Sequence, residues 1–134
     1  MTNLKNNPKQ TQSVIPSPFP TPAGLKEKST ASDLKTRLDW GEPALTILDV
    51  RDRKAFLAER ILGAVSAPLS ELATMASTTT LEKERDIYIY SESEEETQRA
   101  AAMLRDMGFN SVAEVANGLT DWKAIGGLTE GNLT

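Results

Sequence analysis

The sequence predicts an α/β domain in which helices cover a parallel sheet on both faces. Two observations carry this. Short apolar runs suited to buried strands, Leu45–Val50 and Ile87–Tyr90, alternate with stretches of helical periodicity, of which Glu94–Met107 is the clearest. Strands separated by helices favour parallel pairing with right-handed crossovers. At 134 residues the chain is long enough for one domain with a sizeable core and too short for two ordinary ones.

Residues 1–28 read as a disordered, proline-rich tail or linker, and residues 29–134 as the folded domain. The tail centres on Ile15-Pro16-Ser17-Pro18-Phe19-Pro20-Thr21-Pro22, where alternate prolines favour an extended backbone. Such a segment can also serve as a docking peptide for an aromatic groove. Thr30 and Ser32 offer N-caps for a helix through about Asp39, with Leu34 and Leu38 on one face, and Gly41-Glu42-Pro43 breaks it. After the strand Leu45–Val50 come a short helix near Lys54–Glu59, a brief strand at Val65–Pro68 and a helix from Ser70 to about Ala76. Ile87–Tyr90 contains only aromatic and β-branched residues, as a strand favours. In Glu94–Met107 the apolar stripe is Ala100, Met103, Leu104 and Met107. Gly108 and Phe109 then suit a Schellman ending, with Phe109 folded back onto Leu104. Val112–Val115 is a further strand, and a helix from about Thr120 carries Trp122 and Ile125. Tyr88, Tyr90 and Trp122 are expected in the core.

Composition narrows the chemistry. The chain has no cysteine and no histidine. That removes disulfides, thiolate nucleophiles, Cys/His zinc sites and the usual general base. Residues 1–28 carry a net +3, from Lys5, Lys9, Lys26 and Lys28 against Glu27; with −4 for the whole chain, residues 29–134 carry −7. An acidic domain repels nucleic acid and anionic membrane surfaces, so neither is expected as a partner. No apolar run approaches the roughly 18 residues of a spanning helix. The first twenty or so residues lack a secretory apolar core, and a transit peptide is disfavoured by the absence of arginine there. Cytoplasm is the default expectation.

In a parallel α/β sheet, ligands bind beyond the carboxyl ends of the strands. Those ends are Asp49–Arg51, Tyr90–Ser93 and Val115–Gly118. Together the segments resemble the rhodanese homology domain over roughly residues 29–130. Leu48-Asp49-Val50-Arg51 is similar to its first signature, and Ile61-Leu62-Gly63-Ala64 followed by Pro68-Leu69 to its second. Met107-Gly108-Phe109, Asn117-Gly118-Leu119 and Trp122 resemble its closing pattern of G-F, G-G and W. The resemblance implies a five-stranded parallel sheet flanked by helices. It also implies that chemistry resides in the loop after Ile87–Tyr90, which in active members reads C-x-x-G-x-R-[ST].

In that loop, backbone N–H groups at a helix start cradle an anion, and their field lowers the cysteine pKa. Here the loop is Ser91-Glu92-Ser93-Glu94-Glu95-Glu96-Thr97. Ser91 stands at the cysteine position, Glu94 at the glycine position and Glu96 at the arginine position; Thr97 alone suits its place. Arg60 replaces the histidine of the second signature. A serine hydroxyl needs a strong base that this composition does not supply, and it cannot hold a stable persulfide. Four glutamates also repel thiosulfate, phosphate and arsenate.

The expectation is a catalytically inactive rhodanese-like module with a partner-binding or regulatory role, and no catalytic residue, cofactor or metal is assigned. Ser91…Glu94 and Ser93…Glu96 each match a capping box, and acidic first turns favour the helix dipole, so the loop can be an ordinary helix start. Alternatively Glu92, Glu94, Glu95 and Glu96, with Arg60 nearby, form a recognition surface for a protein partner of basic character. Arg60 is otherwise a surface charge, or pairs with the loop glutamates. Asp49 and Arg51 are expected as a structural pair at the site rim. The alternatives are an enzyme or metal-binding domain using the loop carboxylates, or a residual sulfurtransferase-family role within a larger protein.

Overall fold

The computed structural model describes residues 25–41, 45–78 and 83–132. The proline-rich segment and the Glu42-Pro43 break lie outside them. The elements in chain order are β1 (Lys28–Ser29), α1 (Ala31–Trp40), β2 (Leu45–Asp49), α2 (Arg53–Ala58), β3 (Arg60–Ile61), β4 (Val65–Ser66), a 3-10 turn (Leu69–Glu71) running into α3 (Leu72–Thr78), β5 (Asp86–Tyr90), α4 (Glu94–Asp106), β6 (Val112–Val115), α5 (Gly118–Ala124) and β7 (Thr129–Glu130). Five strands form one sheet in the order β1-β6-β5-β2-β4, every pair parallel. The fold class expected from the sequence is the one found.

Residues of β5 alternate between two apolar layers, as the two-residue period of a strand requires. Ile87 and Ile89 pack with Leu48, Val50, Leu72, Phe109 and the α4 residues Ala100, Ala101 and Leu104. Tyr88 and Tyr90 face the other layer, with Leu34 of α1, Ile47, Ile61, Val115 and Trp122 of α5. Both faces are thus covered by helices, which is why the central strands read as continuous apolar runs. Tyr88, Tyr90 and Trp122 are all buried, as expected.

Local signals set the helix ends. Thr30 caps α1 with a complete capping box: its hydroxyl accepts from the Asp33 N–H at 3.0 Å, and the Asp33 carboxylate accepts from the Thr30 N–H at 2.9 Å. At the end of α4, Gly108 adopts φ 98°. The Phe109 N–H then donates to Leu104 O at 3.1 Å and the Gly108 N–H to Arg105 O at 3.0 Å, the two bonds of a Schellman ending. The buried stripe of α4 is Thr97, Ala100, Ala101 and Leu104, with Met103 and Met107 partly buried beside it.

Three features differ from the sequence reading. First, β1 begins at Lys28 and Leu25 packs on the second apolar layer, so the sheet takes in residues assigned above to the tail. Glu114 N–H donates to Glu27 O at 2.7 Å, a backbone bond that ignores the polar composition of this stretch. Second, α5 starts at Gly118 rather than Thr120, because Asn117 takes φ 54°, a left-handed conformation that asparagine tolerates. Third, β3 and β7 pair antiparallel outside the main sheet, with Arg60 opposite Glu130. Strands of two residues have no periodicity to read. Among the described residues no helix is long and apolar enough to cross a membrane.

Candidate functional site

The carboxyl ends of β2, β5 and β6 converge where the sequence placed the site. Asp49, fully buried at the end of β2, anchors a polar network. Arg51 donates to it from Nε at 2.9 Å and from Nη2 at 2.6 Å, and the Arg51 N–H donates at 3.0 Å. The same Nη2 reaches Glu59 O at 2.6 Å. The Tyr90 hydroxyl donates to Asp49 Oδ2 at 2.6 Å and accepts from the Ile61 N–H at 3.0 Å. Burial, reinforced by the charge of Asp49 and the bond to it, pushes the Tyr90 phenol well above its ordinary range and keeps it a donor. Burial opposes the charge on Arg51, but the hydrogen bond and charge of Asp49 outweigh it and raise the guanidinium's pKa. Asp49 and Arg51 do form the expected pair. Its third member, Tyr90, and its tie to the 59–61 segment were not foreseen, since a tyrosine ending an apolar strand reads only as core.

The loop beyond β5 follows directly. Ser91 is 6% exposed. Its hydroxyl donates a short hydrogen bond to Glu96 Oε1, so the residue at the cysteine position is held by the residue at the arginine position. Ser93 is the N-cap of α4, accepting from the Glu96 N–H at 3.2 Å, and the Thr97 hydroxyl donates to Ser93 O at 3.0 Å. Of the two capping boxes the sequence allowed, Ser93…Glu96 supplies the cap, but only half of it. The Glu96 carboxylate turns to Ser91 instead of back to the Ser93 N–H. Glu92, Glu94 and Glu95 are exposed, Glu96 is half-buried and Thr97 is buried.

Across from the loop, Gly118 sits at φ 43°, and a Cβ there would come within 2.6 Å of Ser91 O. The start of α5 is therefore pressed against the loop backbone, which is the structural use of the Asn117-Gly118 pair. A shallow cleft beside the loop is bordered by Glu94, Thr97, Ser29 and Glu114. Glu114 accepts from Lys28 at 2.8 Å and lies 3.4 Å from Arg105, so these cations are occupied.

Arg60 is held elsewhere. It lies 4.4 Å over the Phe56 ring, donates to Phe56 O at 3.1 Å, and has Glu130 at 3.5 Å as its ion-pair partner among the described residues. The pairing with loop glutamates that the sequence allowed is replaced by this one, because the β3–β7 register sets Glu130 opposite. Among the described residues no three or more acidic side chains are placed so that they could hold a metal ion together.

The fold and site define a class: a parallel α/β domain whose loop at a helix N-terminus, the position of an anion cradle, is occupied by carboxylates. The chain belongs to the rhodanese-like domain family, whose model matches residues 30–125. It is 51% identical to the Alr3790 protein of Anabaena sp. in a crystal structure that superposes with a TM-score of 0.75, covering 79% of this chain and 94% of that one. Thiosulfate sulfurtransferase of Pseudomonas aeruginosa superposes at 0.71 with 28% identity, over 80% of this chain and 20% of that chain. A Bacillus subtilis (strain 168) protein named as a candidate sulfur carrier, YrkF, is 34% identical over 88 residues. These span 66% of this chain and 46% of YrkF, so the chain matches just under half the length of that relative.

Proposed function

We propose that this is a rhodanese-like module without sulfurtransferase activity that works by binding a protein partner. The observation that carries the reading is the Ser91–Glu96 hydrogen bond. Sulfur transfer in this fold needs a thiolate inside a field of N–H donors and arginine. Here a hydroxyl is buried against a carboxylate, and no base strong enough to activate it stands among the described neighbours. The surface around it is still ordered. Glu92, Glu94 and Glu95 project from a capped helix start and make no ion pair among the described residues. Such charges steer and orient a basic partner at little cost, because they remain hydrated until contact.

The test is a pull-down with the full chain as bait, against the same chain carrying Glu92, Glu94, Glu95 and Glu96 changed to Gln. A protein retained by the first and lost by the second supports the reading. Equal retention moves the interface away from the loop. Thiosulfate:cyanide turnover that disappears in Ser91→Ala would overturn the inactive assignment itself.

The name of the YrkF relative favours a second reading. This domain would stand beside a sulfur-bearing domain or partner in a longer assembly and dock it rather than carry sulfur. Recovery of a persulfide-bearing protein in the pull-down would distinguish this case.

A further inference from the structure

On the face of the sheet covered by α1 and α5, an apolar groove of about 310 Å³ opens between α1 and the β3–β7 strand pair, away from the loop described above. Its walls are Leu38, Leu62, Trp122 and Leu128. Leu128 is 68% exposed and Leu62 46%, an unusual display for neighbours joined by a backbone hydrogen bond of 3.0 Å. The polar groups at the groove are already matched. Lys35 and Asp39 on its rim pair with each other at 2.9 Å, and the Trp122 indole N–H donates to Leu128 O at 2.8 Å. The groove therefore offers apolar area and little hydrogen bonding, and it suits an occupant that asks for little.

The chain supplies one. Ile15-Pro16-Ser17-Pro18-Phe19-Pro20-Thr21-Pro22 has prolines at alternate positions, each removing a backbone donor that burial would otherwise leave unsatisfied. Ile15 stands before the first of them and Phe19 between the second and third, two side chains that lose most by remaining in water. The reach is sufficient. Leu25 already packs on the same buried cluster as Leu38 and Trp122. Phe19 stands six residues before it, and an extended proline-rich chain covers roughly 3.1 Å per residue, or about 19 Å in all. That exceeds the ~10–12 Å width of one helix with its side chains.

We infer that the segment around Phe19 packs in cis into the groove between α1 and the β3–β7 strand pair, as an intramolecular cover for Leu62, Trp122 and Leu128. Tethering favours this occupant over one arriving from solution, because a short linker holds the segment at an effective concentration in the millimolar range. The inference does not depend on the partner reading of the acidic loop.

The test uses the full chain with Ser17→Cys carrying a nitroxide, which labels one position because the protein has no native cysteine. In the isotope-labelled protein, paramagnetic loss of signal is expected at the Leu62 and Leu128 amides and the Trp122 indole. Adding Phe19→Asp to the labelled chain should restore those signals, since the tether stays and the apolar anchor goes. Unselective loss, or loss that survives Phe19→Asp, would overturn the inference. So would the same pattern in a mixture of isotope-labelled chains without nitroxide and nitroxide chains without isotope, which would make a second copy the occupant.

Discussion

Replacing Ser91 by cysteine returns the nucleophile that active members of this fold use, yet it should not return activity. The Ser91 hydroxyl is hydrogen-bonded to Glu96, so a thiolate formed there would face a carboxylate at close range. At about 3 Å two like unit charges repel by about 1.4 kcal/mol in bulk water and about 5.5 kcal/mol at an effective dielectric of about 20. Glu96 is half-buried, which places the true figure between these limits. Because about 1.4 kcal/mol is a factor of ten in ionisation, the smaller value already makes the thiolate about tenfold rarer than in a free cysteine. The sign is clear: a negative neighbour disfavours the charged thiolate and raises its pKa.

Alkylation by iodoacetamide across neutral to alkaline pH reads this directly, since the thiol at 91 would be the only one in the chain. Ser91→Cys should alkylate slowly at neutral pH. The double variant Ser91→Cys with Glu96→Gln should alkylate at least about tenfold faster at the same pH. Both variants share the same buried position, so steric access cancels in the ratio. Equal rates for the two, or thiosulfate turnover by Ser91→Cys alone, would refute the argument that Glu96 opposes a thiolate at position 91.

Three further outcomes follow from the same geometry. Tyr90→Phe removes the hydroxyl that joins Asp49 to the Ile61 N–H and should cost about 1–3 kcal/mol in urea unfolding, with faster hydrogen exchange at Ile61. Gly118→Ala drives a Cβ to 2.6 Å from Ser91 O in a left-handed backbone; it should cost about 1–3 kcal/mol and shift the amide signals of Ser91–Ser93. The Glu59 carboxyl is held below its ordinary value by hydrogen bonds from Lys123 and then Thr129. Its contribution to stability is present above the ordinary glutamate range and is lost as pH falls through the lowered value. An NMR titration of Glu59 should show that low midpoint, and Lys123→Met should move it upward.

The sequence made legible whatever depends on burial or on local capping. Ile87–Tyr90 and Leu45–Val50 announce themselves because strands covered on both faces are mostly apolar. Gly108 and Phe109 mark the end of α4 because a Schellman ending requires a left-handed residue followed by an apolar one. Ser91 at the cysteine position was readable from the loop's place after that strand. What stayed hidden depends on contacts distant in the chain. Arg60 meets Glu130 through an antiparallel pair of strands far apart in sequence, with two residues on each side, too short to carry a pattern. Glu96 was readable as half of a capping box, but its turn toward Ser91 depends on the path of the loop backbone. Tyr90 shows aromatic bulk in the sequence, and nothing there announces that its hydroxyl joins β2 to β3.

The network under the rim keeps its shape independently of the loop above it. Asp49, Arg51, Tyr90 and the backbone of Glu59 and Ile61 satisfy one another without any atom of the 91–97 loop. The loop in turn is held by Ser93 capping and by Thr97. Glu94, Glu95 and Glu96 supply negative charge to the α4 N-terminus covalently, each by roughly 0.3–1 kcal/mol, where an active member would leave that field for a ligand. External anions therefore meet a helix start already compensated. Thiosulfate or sulfate should not raise the melting temperature above that of chloride at equal ionic strength, whereas an anion at about a hundred times its Kd would add about 2.7 kcal/mol. Selective stabilisation by thiosulfate would mean that the cradle still binds anions beneath its glutamates, and the argument that these carboxylates already compensate the helix start would fall with that result.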